Sequence, residues 1–538
     1  MKAPFPISTS ALLACLLAAL TNSLQAQTAD DFDPHLIWVI PGGMETPPDV
    51  KGLAVQPDGR FLVGGLFNKI NGAILFNLAR FQSNGGLESA FEPFVRWQAD
   101  RVGILPGGQI LTMDEQNAPY FFRYLPGGGA DPAFVIPPGT LGGPPTTMVL
   151  QQDGGVVFCQ SQGPQQYIRR LFPNGSPDNA FDVLADGGVT VLAMQRDGKI
   201  LVGGFFTELA GTHRAGIGRL NANGSLDTAF DPNADWGGNP GWIESMAVQG
   251  DGKIIVTGGF GAIGGSLNDG IARLNPDGTS DAGFTASLPA APGGWANSIA
   301  IQADGKIIIG GAFDALGGST AKLGRLNTDG SLDTSFNPAP DGEVTTLALD
   351  ATGRLLAGGY FTHVGGQARA GMARLLNTRP ATESLSYQGN TVTWLRGGTG
   401  PDVWATTFEL STNNVTWTPL GDGTPVLGGW QLAGVSAPVG SRIRARGFLA
   451  SGYANASRGM VESIMTVSLR ILSANLTRQP FGFTVAGPAN QSVVIEGSIN
   501  LQDWIPLQTN LVPVNGLLPF TDADSAANPR RFYRGRVE

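Results

Sequence analysis

Short apolar runs, each ended by a glycine turn, recur along the first two thirds of the chain and predict buried strands. Val191-Leu192-Ala193-Met194 leads into Asp197-Gly198, and Ile200-Leu201-Val202 follows. Asp-Gly at Asp58-Gly59, Asp197-Gly198, Asp251-Gly252 and Asp304-Gly305 suits a type I′ hairpin turn, in which both central residues take positive φ. A Gly-Gly pair comes next (Gly64-Gly65, Gly203-Gly204, Gly258-Gly259, Gly310-Gly311, Gly358-Gly359) and marks a bulge or a close backbone approach. A third strand carries an arginine, as in Ile271-Ala272-Arg273-Leu274. A second turn, Asn223-Gly224 or Asp277-Gly278, leads to a short fourth strand ending in phenylalanine. No helix is evident.

The pattern occurs seven times, with first turns at Gly59, Gly108, Gly154, Gly198, Gly252, Gly305 and Gly353. A period of roughly fifty residues signals a closed repeat architecture. The arginines are Arg80, Arg123, Arg170, Arg219, Arg273, Arg325 and Arg374, and in six copies a phenylalanine follows eleven residues later (Phe91, Phe134, Phe181, Phe230, Phe284, Phe336). A four-stranded sheet of this size cannot bury both faces alone, so neighbouring repeats must cover it. The seventh copy stops at Leu375-Leu376, while Phe32-Asp33-Pro34 matches Phe230-Asp231-Pro232 and Phe336-Asn337-Pro338. The N-terminus is therefore predicted to supply the outer strand of the last sheet. The expected fold is all-β: residues 28–376 form a seven-bladed β-propeller closed by an N-terminal strand.

Beyond it, Asn377-Thr378-Arg379-Pro380 opens a linker read as 377–384. Residues 385–464 carry strand-like runs with tryptophans (Val392-Thr393-Trp394-Leu395, Val415-Thr416-Trp417, Arg442-Ile443-Arg444-Ala445-Arg446) and suit a small immunoglobulin- or fibronectin-like β-sandwich. Alternation places the three arginines on one strand face, read as solvated. Residues 466–538 read as a second β-sandwich module. The repeat resembles the delta-60 repeat of bacterial secreted proteins, through Gln302-Ala303-Asp304-Gly305-Lys306-Ile307, Gly310-Gly311, Arg325-Leu326-Asn327 and Asp329-Gly330-Ser331-Leu332-Asp333-Thr334-Ser335-Phe336. That resemblance implies a propeller of unknown function and an extracellular address, with no catalytic residues to carry over. The ending Arg531-Phe532-Tyr533-Arg534 resembles the terminal β-module of large extracellular bacterial proteins.

Lys2, the apolar run Ala11–Leu20 and Leu24-Gln25-Ala26 predict a signal peptide over 1–26, and hence a secreted or outer-surface protein. No later run is long and apolar enough to span a bilayer. Cleavage leaves Cys159 without an intramolecular partner, and it reads as a small buried hydrophobe. The net charge of −9 and the lack of a basic stripe argue against nucleic acid as a partner.

An acid lies eight residues after the arginine in the six complete copies: Glu88, Asp131, Asp178, Asp227, Asp281, Asp333. The predicted pairs are Arg80–Glu88, Arg123–Asp131, Arg170–Asp178, Arg219–Asp227, Arg273–Asp281 and Arg325–Asp333, with bidentate geometry fixing the turn. Asn275-x-Asp277-Gly278-x-x-Asp281 superficially resembles an oxygen-rich calcium loop. Leu125 and Phe172 at the first position of other copies weaken that reading, and no cofactor is favoured. His35, His213 and His363 match no metal spacing and are expected in loops.

A functional site should break the repeat. Copies two and three do so: Met113-Asp114-Glu115 and Cys159-Gln160 replace Gly-Gly, and Tyr120 follows in an altered loop. Two readings stay open, repeat drift and a ligand patch at Asp114, Glu115, Tyr120, Cys159 and Gln160. The function expected is a non-enzymatic binding or scaffold protein for an extracellular protein or glycan. The alternative is a polysaccharide hydrolase or lyase, with carboxylates gathered at a channel mouth.

Overall fold

The computed structural model describes residues 29–538 except 40–43, 47, 94–97, 119, 164, 289–294, 314, 317–321, 378, 476–479, 528 and 529. The segment read as a signal peptide lies outside the described residues. Three-strand antiparallel meanders follow one another along the chain. The first sheet is Asp49–Val55, Phe61–Leu66, Leu78–Phe81. The second is Arg101–Ile104, Ile110–Met113, Phe121–Tyr124, and the third Pro145–Leu150, Val156–Gln162, Gln165–Leu171. The fourth is Val189–Met194, Ile200–Gly204, Ile217–Leu220, and the fifth Trp242–Val248, Ile254–Gly259, Ile271–Leu274. The sixth is Ala296–Ile301, Ile307–Gly311, Leu323–Leu326, and the seventh Val344–Leu349, Leu355–Gly359, Met372–Leu375.

Strands that read as continuous apolar runs are alternations between two cores. Ile307 and Ile309 pack with Ile255 and Phe284 on one side, and Ile308 packs with Val344 and Leu347 on the other. The first glycine of Gly-Gly serves this stacking. A Cβ on Gly310 would lie 2.7 Å from Val344 Cγ1, and one on Gly358 2.7 Å from Val50 Cγ1. The bulge itself lies on the facing first strand, not at Gly-Gly. The seventh sheet meets the first: Thr345 Oγ1 donates to the Val50 carbonyl at 2.7 Å.

Two turn expectations are corrected. Gly59 has φ of 81°, but Asp58 does not take positive φ, and Gly59 N donates back to Gln56. The turn is thus a type I turn closed by a left-handed glycine, a form compatible with Pro57, whose ring holds φ negative. The fourth strand is reduced to single bridges such as Leu220↔Leu226 and Leu326↔Leu332, because the chain folds at once into an Asp-x-x-Phe turn (Phe336 N to Asp333 O, 3.0 Å). It is a full strand in the third sheet, Pro177–Ala185. On the seventh sheet the bridge is Ala29↔Leu375, with Asp30 N donating to Arg374 O at 2.9 Å.

The strand Ala381–Gln388 takes up the second half of the expected linker. It belongs to a sheet with Thr391–Gly398, Gly429–Leu432 and Thr424–Val426. A second sheet, with Ala405–Ser411 and the hairpin Arg442–Ser451/Ser457–Thr466, closes over a core of Trp394, Phe408 and Trp430. Arg444 and Arg446 do not lie on a solvated face. Arg444 ion-pairs with Glu409 and lies 4.1 Å over the Trp417 ring, while Arg446 Nε meets Glu462 at 3.0 Å. The last residues form two further sheets around Phe483, Ile495 and Phe520.

The far end of that hairpin enters the space that the first strands surround. Ser451 Oγ donates to Leu53 O at 2.6 Å, and Gly452 N to Leu347 O at 3.1 Å. Asn455 exchanges two bonds of 2.9 Å with the Ile299 backbone. Arg458, 4% exposed, donates to Ile104 O, Leu150 O and Gln151 O and pairs in parallel with Gly103. The tip is a 3-10 turn, Tyr453–Asn455. Among the described residues no helix is long and apolar enough to cross a membrane.

Candidate functional site

The sequence-predicted arginines are structural hubs. Arg80 Nη2 lies 2.6 Å from Glu88, and Arg123, Arg219, Arg273 and Arg325 place Nε 2.8, 2.9, 2.7 and 2.9 Å from Asp131, Asp227, Asp281 and Asp333. Arg170 meets Asp178 at 2.5 Å. Only Arg80 is bidentate across two oxygens. In the aspartates the other oxygen accepts the N–H two residues on (Ala229 to Asp227, 3.2 Å; Ser335 to Asp333, 3.1 Å), closing the turn. Each guanidinium also covers the phenylalanine eleven residues ahead, at 4.3 Å for Arg219–Phe230 and 4.8 Å for Arg325–Phe336. A third bond reaches the next repeat, as in Arg219 Nη1 to Pro276 O (2.6 Å) and Arg273 Nη1 to Thr328 O (2.7 Å). Lys199, Lys253 and Lys306, which the sequence reading overlooked, bind the same acids at 2.8, 2.8 and 2.6 Å. The calcium-like turns are satisfied internally: Asp277 accepts from Thr279 N and Oγ1, and Asp329 from Ser331 N and Oγ. Among the described residues no cluster of three His, Cys, Asp or Glu is placed to hold a metal.

The candidate site lies where the hairpin tip ends. In six sheets the register skips one residue of the first strand: Lys51, Thr146, Thr190, Glu244, Asn297 and Thr345. A bulge leaves its residue unpaired and re-aims the side chain. The threonines tie to the next sheet, as in Thr190 Oγ1 to Ile243 O (2.6 Å). Lys51, Glu244 and Asn297, with Arg101 opening the second sheet, make a charged mouth instead. Tyr453 Oη donates to Glu244 at 3.2 Å, and Arg101 lies 5.0 Å over the Tyr453 ring. Arg101 pairs with Glu115 at 2.8 Å, Lys51 with Asp100 at 3.3 Å, and Asn297 Nδ2 with Glu343 at 2.6 Å.

The electrostatics follow from burial and neighbours. Burial raises the Glu244 pKa, and Glu343 adds to the rise against the lowering pull of Tyr453 and Arg101. Burial works to lower that of Lys51, but Asp100, Asp49 and Glu115 outweigh it and hold the amine above its ordinary value. Burial raises Tyr453 and Tyr360, each with help from a nearby carboxylate, Glu244 and Asp49.

The profile of the family described as "Domain of unknown function (DUF5122) beta-propeller" matches residues 56–91, 195–230, 249–284, 302–336 and 351–378. The protein is an all-β repeat protein of the β-propeller type. Among solved structures, this propeller is similar to the extracellular domain of a hybrid two component system from B. thetaiotaomicron (11% identity, 84% of this chain, 58% of that one, TM-score 0.39). It is also similar to YCF48 from Cyanidioschyzon merolae (13%, 63% and 98%, 0.38) and to PorZ of Porphyromonas gingivalis, a surface component of the type-IX secretion system (13%, 90% and 72%, 0.27). No curated protein matches the chain.

The propeller separates the residues singled out in the second and third repeats. Glu115 joins the mouth through Arg101. Asp114 caps its own turn, accepting from Gln116 N at 2.7 Å and Asn117 N at 3.0 Å, and burial raises its pKa. Tyr120 packs beside Phe121 and Phe158. Cys159 is buried, donates to Gln166 Oε1 at 3.0 Å, and burial pushes its thiol up to about 12, which leaves no thiolate at neutral pH. Gln160 is fully buried, with neither amide atom hydrogen-bonded. His213 and His363 lie in two-residue strands rather than loops; His363 Nδ1 is 3.1 Å from Asp341. The sequence signal for the mouth was available: a charged or amide residue at the bulge position of a strand otherwise bordered by apolar residues.

Proposed function

We propose that the chain is a secreted or cell-surface, non-enzymatic binding or scaffold protein for an extracellular protein or glycan. In this reading residues 28–376 form a seven-bladed propeller of delta-60 type closed by the N-terminal segment. Immunoglobulin-like β-sandwich modules follow at 385–464 and 466–538, and 1–26 directs export. The observation that carries the reading is the hairpin seated in the centre. Bonds from Ser451, Asn455 and Arg458 to first-strand backbone fill the axis, leaving a one-sided face around Tyr453. The mouth acids are engaged: Glu115 by Arg101, Asp100 by Lys51, Glu343 by Asn297 and Glu244 by Tyr453. A polar face whose acids are already held by fixed partners is preorganised, which suits recognition.

Glu244 favours a second reading. A buried carboxyl with a raised pKa, near a second carboxylate, Glu343, has the ingredients of a general acid for glycan cleavage. The full chain offered to extracellular glycans and proteins, scored for both retention and product release, separates the two. Retention without product supports binding; product supports the hydrolase or lyase.

A further inference from the structure

The rim of the mouth carries aromatic rings where the other repeats have none. Asp49, Gly188, Trp242, Trp295 and Glu343 occupy equivalent places, two residues before the bulge position. The fifth and sixth sheets thus put tryptophan on the rim, two residues before Glu244 and Asn297. Trp242 is the centre of a cluster. Phe205 stacks on it at 5.6 Å and 13°, Trp236 lies at 6.0 Å and 40°, and Trp295 stands edge-on at 6.4 Å. Phe205 is 52% and Trp236 37% exposed, while Trp242 and Trp295 are half-buried. The repeat is altered to seat the central ring: the position filled by Leu66, Phe205, Ala312 and Tyr360 elsewhere is Gly259, where a Cβ would lie 2.2 Å from the Trp242 indole.

Rings held in place by packing, with faces left to solvent beside carboxylates and an amide, match a ligand that has apolar C–H faces and hydroxyl edges. A pyranose has both. Around the mouth, acids (Asp49, Asp100, Glu115, Glu244, Glu343) outnumber bases (Lys51, Arg101), so a polyanionic chain would be repelled. We propose that this rim over the fourth to sixth sheets binds an uncharged oligosaccharide. Sugar faces lie on the exposed rings Trp236 and Phe205, which Trp242 supports from behind, and hydroxyls are taken by Glu343 and Asn297. The proposal rests on the binding reading above and names its ligand class.

The test uses the full-length protein with three probes, cellohexaose, chitohexaose and oligogalacturonate, followed by tryptophan fluorescence and calorimetry. Trp236→Ala and Phe205→Ala remove exposed rings; Leu427→Ala, at a fully exposed site on the sandwich, is the control, and unchanged melting confirms folding. The expected result is binding of a neutral hexasaccharide, weakened about three- to tenfold by either ring deletion and unaffected by the control. Preference for oligogalacturonate, or equal binding by the ring variants, overturns the proposal. So does capture of an extracellular protein with no response to any sugar, an outcome that leaves the general binding reading standing. Release of shortened oligosaccharide overturns that general reading instead.

Discussion

Arg374 Nη1 donates to the Ser83 carbonyl at 3.0 Å, across 291 residues of sequence. It is the same bond that Arg219 makes to Pro276 and Arg273 to Thr328, each time three residues past the next repeat's arginine. Here the next repeat is the first one. The same guanidinium holds Asp30 at 2.5 Å and lies 5.3 Å from the Phe32 ring centre. The N-terminal segment thus supplies both the acid and the aromatic that the seventh repeat lacks.

Cutting this clasp should cost more than an ordinary surface pair, since Arg374 is 5% exposed. Arg374→Met is expected to destabilise by on the order of 3 kcal/mol, because it strands Asp30 and removes the link to the first sheet. Asp30→Asn should cost less, since an amide still accepts a hydrogen bond. Thermal melting checks both; a Met variant that melts with wild type contradicts the role of the N-terminal segment.

Arg458→Ala should loosen the hairpin from the axis. Burial pulls this arginine down to about 9, which leaves it charged at neutral pH while it serves three carbonyls. Its loss removes the side-chain donor from all three, although Gln151 O keeps the Gly154 N–H at 3.0 Å, and is expected to cost on the order of 3 kcal/mol. Hydrogen exchange should accelerate in Arg101–Ile104 and Pro145–Leu150, with little change in the last sheets around Phe483. Uniform acceleration throughout would mean general destabilisation and would count against a specific plug.

The repeat acids set the response to low pH. Lys253 and then Arg273 hold Asp281 well below the usual carboxylate range, and Arg170 does the same for Asp178. For Asp333, burial works upward but Lys306, Ser335 and Arg325 win, and its pKa is lowered. A carboxyl lowered by folding contributes stability above its unfolded pKa and loses it as pH falls through the folded value. Stability should therefore decline below about pH 4. Asp333→Asn should start from a lower neutral-pH melting temperature and show a shallower decline. An unchanged slope would remove Asp333 from the acid response.

Asp402 acts in the opposite direction. Burial between the propeller and the sandwich pushes it up to about 6, although Gly250 N and Val403 N donate to it at 2.8 and 2.9 Å. A carboxyl raised by folding stabilises below its unfolded pKa and loses that contribution as pH rises through 6. Melting of the full chain should fall between pH 4 and pH 7 on this account, and Asp402→Asn should flatten that part of the curve. A variant that keeps the wild-type slope would place the titration elsewhere.

The repeat landmarks were legible because they are local chemistry. The Arg-to-acid and Arg-to-Phe intervals are constant since one guanidinium touches both, and glycine turns announce themselves. The turn type differs because the aspartate keeps negative φ and its carboxylate accepts the N–H two residues on, as Asp58 does from Arg60 and Asp197 from Lys199, so the glycine alone takes the left-handed conformation. The lysines that share the repeat acids are hard to pair from sequence because they lie in the first turn, just before the second strand, 28 residues before Asp227 and Asp281. The hairpin could not be foreseen. Nothing local in Ser451–Arg458 says that its partners are Leu53, Ile299 and Ile104. The mouth depends on that contact, so in the sequence Asp114 and Cys159 stand out as breaks in the repeat while Glu244, Asn297 and Trp242 do not.

The central claim is recognition without turnover at the mouth around Tyr453. Its most direct test measures retention and product together, with neutral oligosaccharides and the full-length chain, for wild type and Glu244→Gln. The account predicts that wild type retains ligand and releases no shortened product over prolonged incubation, and that Glu244→Gln changes retention modestly. Product formation by wild type that disappears in Glu244→Gln would contradict it and make Glu244 a catalytic acid.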